Sequence, residues 1–163
     1  MVEREILSHL IKLPESKYKI DRFLRSNGLN HLTVSDFTNT ESQYIAKMIF
    51  DSLSQDDLDP VDYITSRIEG EFILTEINHS QAPKTPEEEE NSKLRQLEEA
   101  TRLVMQARQL SVNQQIKDFR FLQSSQNEEN NREQDIVLQG RLLDLIKKRG
   151  LLDRALAKPV IIE

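Results

Sequence analysis

The sequence contains no cysteine and no tryptophan, and its 163 residues include only 4 glycines and 5 prolines. Without cysteine there is no disulfide framework, no thiolate metal ligand and no cysteine nucleophile. So few turn-forming residues leave little material for the repeated tight turns of an all-β protein, and the abundant Leu, Glu, Gln, Lys and Arg favour helix. Aromatic residues are only 6% of the chain, so its core must be aliphatic. A basic excess is also missing. The formal net charge is −6, which argues against strong direct nucleic-acid binding through a basic footprint. No apolar run approaches the roughly 20 residues that span a bilayer, and "MVEREILSHL" lacks the apolar centre of a secretory signal. These absences point to a soluble, cytoplasmic, all-α chain with one domain, or one domain and an appendage.

What is present is helical periodicity. In "EREILSHLIKL" the residues Ile6, Leu7, Leu10, Ile11 and Leu13 share one side, and Pro14 closes the helix. "SKYKIDRFLRSNG" repeats the pattern with Ile20, Phe23 and Leu24, and Asn27-Gly28 predicts a left-handed cap. Leu29, Leu32, Val34 and Phe37 make the following connector look anchored. Thr40 is placed to cap a third helix with Tyr44, Ile45, Met48, Ile49 and Leu53 facing inward. Asp59 and Pro60 suit the cap and first position of a fourth, carrying Val61, Ile64 and Ile68 and stopping at Gly70. "EFILTEIN" reads as one more short helix.

"HSQAPKTPEEEE" is the clearest boundary, with two prolines and no periodic apolar pattern. Thr85 then suits an N-cap, Pro86 the first helical position, and Glu87 to Glu90 the first turns, where the helix dipole accepts negative charge. Thr85 and Glu88 have capping-box spacing. With no glycine between this boundary and Gly140 and no proline between Pro86 and Pro159, residues 86 to 123 can run as one helix about 55 Å long. "QSSQNEENN" predicts a turn, and "REQDIVLQGRLLDLIKKRG" a second helix ending at Gly150. The organisation expected is a helical bundle over residues 1–80, a linker over 81–85, a long helix plus C-terminal helical hairpin over 86–158, and a tail over 159–163.

Residues able to do chemistry never gather. His9, His31 and His79 lie on three segments with no second ligand at metal-binding spacing. No glycine-rich loop offers to cradle a phosphate, and no glycine-rich elbow surrounds a serine. Asp56, Asp57, Asp59 and Asp62 are the only tempting cation site, but a calcium loop's central glycine and late glutamate are out of register. Helix capping explains them better. Lys147, Lys148 and Arg149 sit in the last turn of the predicted terminal helix, where the dipole favours cations. From residue 131 onward seven Lys or Arg face five Asp or Glu, so a solvated helix end is the simpler reading. No cofactor, metal or catalytic residue is assigned.

Surface for another protein remains. On the terminal helix Ile136, Leu143 and Ile146 form one stripe, and Leu138, Leu142 and Leu145 a neighbouring one. A two-helix hairpin can bury one stripe but hardly both, and an apolar face left over marks an interaction site. The long helix also has more apolar positions (Leu97, Leu103, Val104, Ala107, Leu110, Val112, Ile116, Phe119) than one seam needs. Self-association as a coiled coil is the competing explanation, weakened by the absence of a sustained heptad.

The order of these elements resembles the C-terminal helicase-binding domain of bacterial DnaG-type DNA primase, over nearly the whole chain. "EREILSHLIKLPE" looks like the family's opening "E-x-x-L-L-x-x-L-L-x-x-P" helix. "LTVSDFTNTESQYIAKMIFDSL" is similar to its "L-x-x-x-D-F-x-x-x-x-x-x-x-I-F-x-x-L" segment. The "DLDPVDYITSRI" helix, the long helix after a proline-rich break and "LQGRLLDLIKKRGLLDRAL" follow in the same order. The resemblance implies a bundle followed by a mobile hairpin that docks on the N-terminal domain of the hexameric replicative helicase and recruits primase during DNA replication. In the family the bundle also contacts the helicase and modulates it. The family's zinc-binding and Toprim-type catalytic domains are not in these residues, so the implied role is non-catalytic, at the replication fork, as a monomer or weak dimer. Leu138, Leu142, Leu145, Leu151 and Leu152 are the expected apolar contacts, with Arg141 and Arg149 at the rim. The alternatives are a helical adaptor or coiled-coil dimerisation protein unrelated to replication, and the small helical domain at the N-terminus of a replicative helicase.

Overall fold

The computed structural model describes residues 2–68, 85–125 and 132–162, without the side chains of 125 and 132–134. These residues form six α-helices and one 3-10 turn, with no strand among them. The predicted helix at "EFILTEIN", Gly70, all of "HSQAPK" with His79, and residues 126–131 of "QSSQNEENN" lie outside the described residues.

Helices α1 (Val2–Lys12) and α2 (Ser16–Ser26) bury Ile6, Leu7, Leu10, Ile11, Ile20 and Leu24. Pro14 separates them. The end of α2 is a Schellman motif: Leu29 N–H donates to Leu24 C=O (2.9 Å) and Gly28 N–H to Arg25 C=O (3.0 Å). Gly28 sits at φ +73°, a conformation that a Cβ disfavours. The connector is anchored by Leu32 and Phe37, both buried, and folds its middle into a 3-10 turn at Val34–Asp36.

Helix α3 (Thr40–Ser52) is capped by Asn39, one residue earlier than expected: its side-chain oxygen accepts from Glu41 N–H at 2.9 Å. Ile45, Ala46 and Ile49 face the core, whereas Tyr44, expected inside, is exposed. Helix α4 (Pro60–Arg67) begins at the expected cap, with Val61 N–H donating to Asp59 Oδ1 (2.9 Å). It stops at Arg67 rather than Gly70.

Helix α5 (Pro86–Ser125) spans 40 residues, about 60 Å at the α-helical rise. Its start is the predicted capping box: Thr85 N–H donates to Glu88 Oε2 (3.0 Å) and Glu88 N–H to Thr85 Oγ1 (3.3 Å). Almost every side chain from 85 to 96 is exposed, so the glutamate turns project beyond the core. From Leu97 to Met105 the helix buries Leu97, Ala100, Thr101, Leu103, Val104 and Met105, more than one stripe. A helix buried on several sides needs partners on several sides. Here they are α1 and α6 (Arg132–Leu156), with lesser contacts to α2 and the 3-10 turn. The long helix is therefore not held clear of the bundle over its middle third; it forms a wall of it. One cluster joins Ile6, Leu10 and Ile49 to Val104, Leu152 and Ile162.

Helix α6 runs through Gly150, which was expected to end it. Gly150 is not at positive φ, and beyond it Leu152 and Ala155 are buried. A glycine stops a helix only where the chain uses its left-handed conformation, and burial of the next turn holds this one helical. The tail then returns to the core through Ile162.

Candidate interaction surface

The hairpin of α5 and α6 carries the residues singled out by the sequence. Its register is marked by Gln109 Nε2 donating to Asp153 Oδ1 at 2.6 Å. Pairing antiparallel helices from that point sets Phe121 about level with Arg141. Leu145 and Leu152 are buried, and Leu138, Leu142 and Leu151 are half-buried. Leu138, Leu142, Leu145 and Leu152 share the inner side of α6, whereas Leu151 lies off that side and approaches the bundle: its Cδ2 lies 3.7 Å from where a Cβ on Gly28 would sit. Arg141 and Arg149 are exposed, Arg149 Nε lying 3.7 Å from Asp153 Oδ2.

The apolar residues left open on α6 belong to the other stripe. Ile136 is 68% exposed, Leu143 58% and Ile146 43%; Val137, off that stripe, is 56% exposed. Phe121, on the same distal part of α5, is 71% exposed. Arg141, Lys147, Lys148 and Arg149 are exposed along the same stretch of α6, where they outnumber the exposed Asp135 and Asp144. An apolar patch with a cationic rim can take up an amphipathic element with acidic flanks.

The base of the hairpin is fixed to the bundle by a clamp that sequence reading missed. Arg108 Nε donates to Asp36 Oδ1 and Nη2 to Asp36 Oδ2, both at 2.7 Å. Nη1 reaches Asn30 C=O at 2.6 Å and Nη2 also reaches His31 C=O at 2.8 Å. Asp36 Oδ2 accepts a further bond from Thr33 N–H, 2.8 Å. A two-pronged arginine–carboxylate pair carries geometric specificity as well as charge. A sequence signal existed in Asp36 alone, the only acid on an otherwise anchored connector, but its partner is 72 residues away.

An open cleft runs between the connector, the start of α1, α3, the middle of α5 and the Lys148–Leu152 turn of α6. At its rim burial pushes the Glu3 carboxyl up, but hydrogen bonds outweigh this and hold it below the usual value. The donors include Thr38 N–H (2.7 Å) and Thr38 Oγ1–H (2.6 Å). Glu3 thus ties α1 to the start of α3. Among the described residues no group of three or more His, Asp or Glu side chains converges to hold a metal ion. His9 is a packing residue, buried with Nε2 unpartnered. His31 is exposed, and its backbone carbonyl belongs to the Arg108 clamp. Asp59 caps α4, and Asp57 N–H donates to Gln55 Oε1 at 2.9 Å. No described helix is long and apolar enough to cross a membrane.

No protein family, no curated protein and no solved structure matches the chain.

Proposed function

We propose that this chain is the helicase-binding region of a bacterial DnaG-type DNA primase, and that its hairpin recruits primase to the hexameric replicative helicase in the cytoplasm, at the fork. The observation that supports this reading is the order of the elements. A small bundle resembling that family's is followed by a hairpin whose distal part leaves Phe121 and Val137 exposed beside Arg141. The region acts by tethering and performs no priming chemistry itself. A docking patch of this modest size gives modest affinity per copy, because association must offset lost rotational and side-chain freedom. Several copies on one ring raise the local occupancy.

The burial pattern moves the proposed contacts outward. Leu145 and Leu152 are spoken for by the hairpin, so aspartate there would damage packing before it reported on a partner. Phe121→Asp combined with Val137→Asp alters only exposed side chains. The double variant should lose co-elution with the N-terminal domain of a bacterial replicative helicase and retain its helical circular dichroism. If the unaltered chain does not co-elute with that domain at all, the primase reading fails. If the double variant still co-elutes, docking lies on another face.

A further inference from the structure

Helix α2 carries four cations and one acid in 11 residues, although the net charge of the chain is −6. The acid, Asp21, is buried and already engaged: Oδ2 accepts from Lys17 Nζ (2.6 Å) and Oδ1 from Leu32 N–H (2.7 Å). Lys17 also lies over the Phe50 ring. Lys19, Arg22 and Arg25 are exposed and, among the described residues, make no ion pair and no side-chain hydrogen bond. At 100° per residue they share a sector of about 120° with Tyr18 and Ser26, opposite the buried Ile20 and Leu24. The one acid facing the same way is Glu15, just ahead of the helix. Helix stability accounts for Arg25, in the last turn, but not for Lys19, which stands near the positive end of the dipole.

Tyr18 is the second observation. It is 54% exposed, and its hydroxyl donates to Leu53 C=O at 3.3 Å. An open aromatic ring is thus held in place on the same strip as three unpaired cations, with Arg22 one turn further along and Arg25 two.

We propose that this strip of α2 binds single-stranded nucleic acid, with a base stacked on Tyr18 and phosphates of the strand on Lys19, Arg22 and Arg25. Cations attract any polyanion; the tethered ring is what selects this one. Unpaired strands of any sequence are held by aromatic side chains set beside a cationic track. A duplex keeps its bases stacked inside and leaves the ring unused, and an acidic peptide needs only the charges. The strand runs along α2 rather than across it to α3, because the exposed Asp51 and Asp56 stand close in sequence to Leu53 and repel an anion there. Three phosphate contacts make a weak and salt-sensitive track. None of the hairpin residues assigned above to the helicase takes part, so the two readings stand or fall separately.

The test is fluorescence anisotropy of a labelled oligothymidylate, about 20 nucleotides long, titrated with the full chain. Affinity should fall about twentyfold between 50 and 200 mM salt, as three contacts to a single strand require. Lys19→Gln, Arg22→Gln and Arg25→Gln combined should remove nearly all of that salt dependence. Tyr18→Ala should weaken binding about fivefold or more with the salt slope unchanged, and an abasic strand should show the same loss on the unaltered chain. All four side chains are exposed, and circular dichroism checks that each variant keeps its helices. The Phe121→Asp, Val137→Asp double variant should bind the strand as the unaltered chain does. Unchanged binding by the triple variant or by Tyr18→Ala overturns the proposal. Polyglutamate or a DNA duplex bound as tightly as the oligothymidylate would reveal charge alone and overturn it too. So would binding to anionic phospholipid vesicles without binding to the strand, or no anisotropy change up to several hundred micromolar chain in 50 mM salt.

Discussion

Two residues carry energies out of proportion to their size. Arg108 is the larger case, since its guanidinium satisfies two oxygens of Asp36 and two backbone carbonyls of the connector. Both side chains are only about one-seventh exposed, so water replaces little of what is lost. Breaking a buried pair leaves an uncompensated charge, and with these solvated edges Arg108→Ala should cost roughly 2–3 kcal/mol. Lysine supplies a point charge but no fork, so Arg108→Lys should recover less than half of that. Urea midpoints of the two variants check this; a loss below about 0.5 kcal/mol for alanine would show that the clamp is incidental. His9 acts through protons instead. Burial lowers its pKa to about 4 from 6.5, and neighbouring Lys12 adds to the effect. The unfolded chain takes up a proton first as pH falls, so the contribution of His9 is complete above pH 6.5 and is lost between 6.5 and about 4. The total at stake is about 3 kcal/mol. Glu3, also depressed, acts only below its ordinary 4.5, so the interval from pH 6.5 to 5 isolates His9. In that interval chemical denaturation of His9→Leu should show a markedly flatter pH dependence than the unaltered chain; parallel curves would refute the assignment.

At the scale of elements, legibility followed the range of the interaction. Helix starts set by residues within one turn could be read from sequence: Asp59-Pro60 for α4, and Thr85 with Glu88 for α5. The cap of α3 was misplaced by one residue because Asn39 and Thr40 are both cap formers and only geometry chooses between them. The end of α6 was misread because Gly150 carries the composition of a stop but not its conformation, and Leu152 and Ala155 prolong the helix by burial. The two apolar stripes of α6 were visible, and so was the conclusion that the hairpin cannot cover both. Which stripe turns inward is decided by distant contacts, Gln109 with Asp153 and Leu151 over Gly28. No local pattern records those. The Arg108 clamp was invisible for the same reason. The surplus of apolar positions on the hairpin was legible, and the side that stays open was not.

At the scale of the molecule, the boundary at "HSQAPK" divides the sequence more sharply than it divides the core. Met105 and Val104 of α5 are fully buried and share a cluster with Ile6, Leu7 and Leu10 of α1 and with Leu152 of α6. A helix that is wall to the bundle and spine to the hairpin couples the two, since neither buries its apolar side without it. Met105→Ala makes this measurable. Truncating a buried methionine costs about 2–5 kcal/mol through lost transfer energy and the cavity left behind. If the core is one cooperative unit, that loss should lower hydrogen-exchange protection in α1, α3, α5 and α6 by a similar factor. A bundle that folded alone would keep the protection of α1 and α3 unchanged while only α5 and α6 opened faster. Uniform loss means that a partner gripping the distal hairpin is gripping the same rigid body that contains the bundle. The exposed turns from Thr85 to Gln96 would then move with that same body, anchored through the Leu97–Met105 stretch.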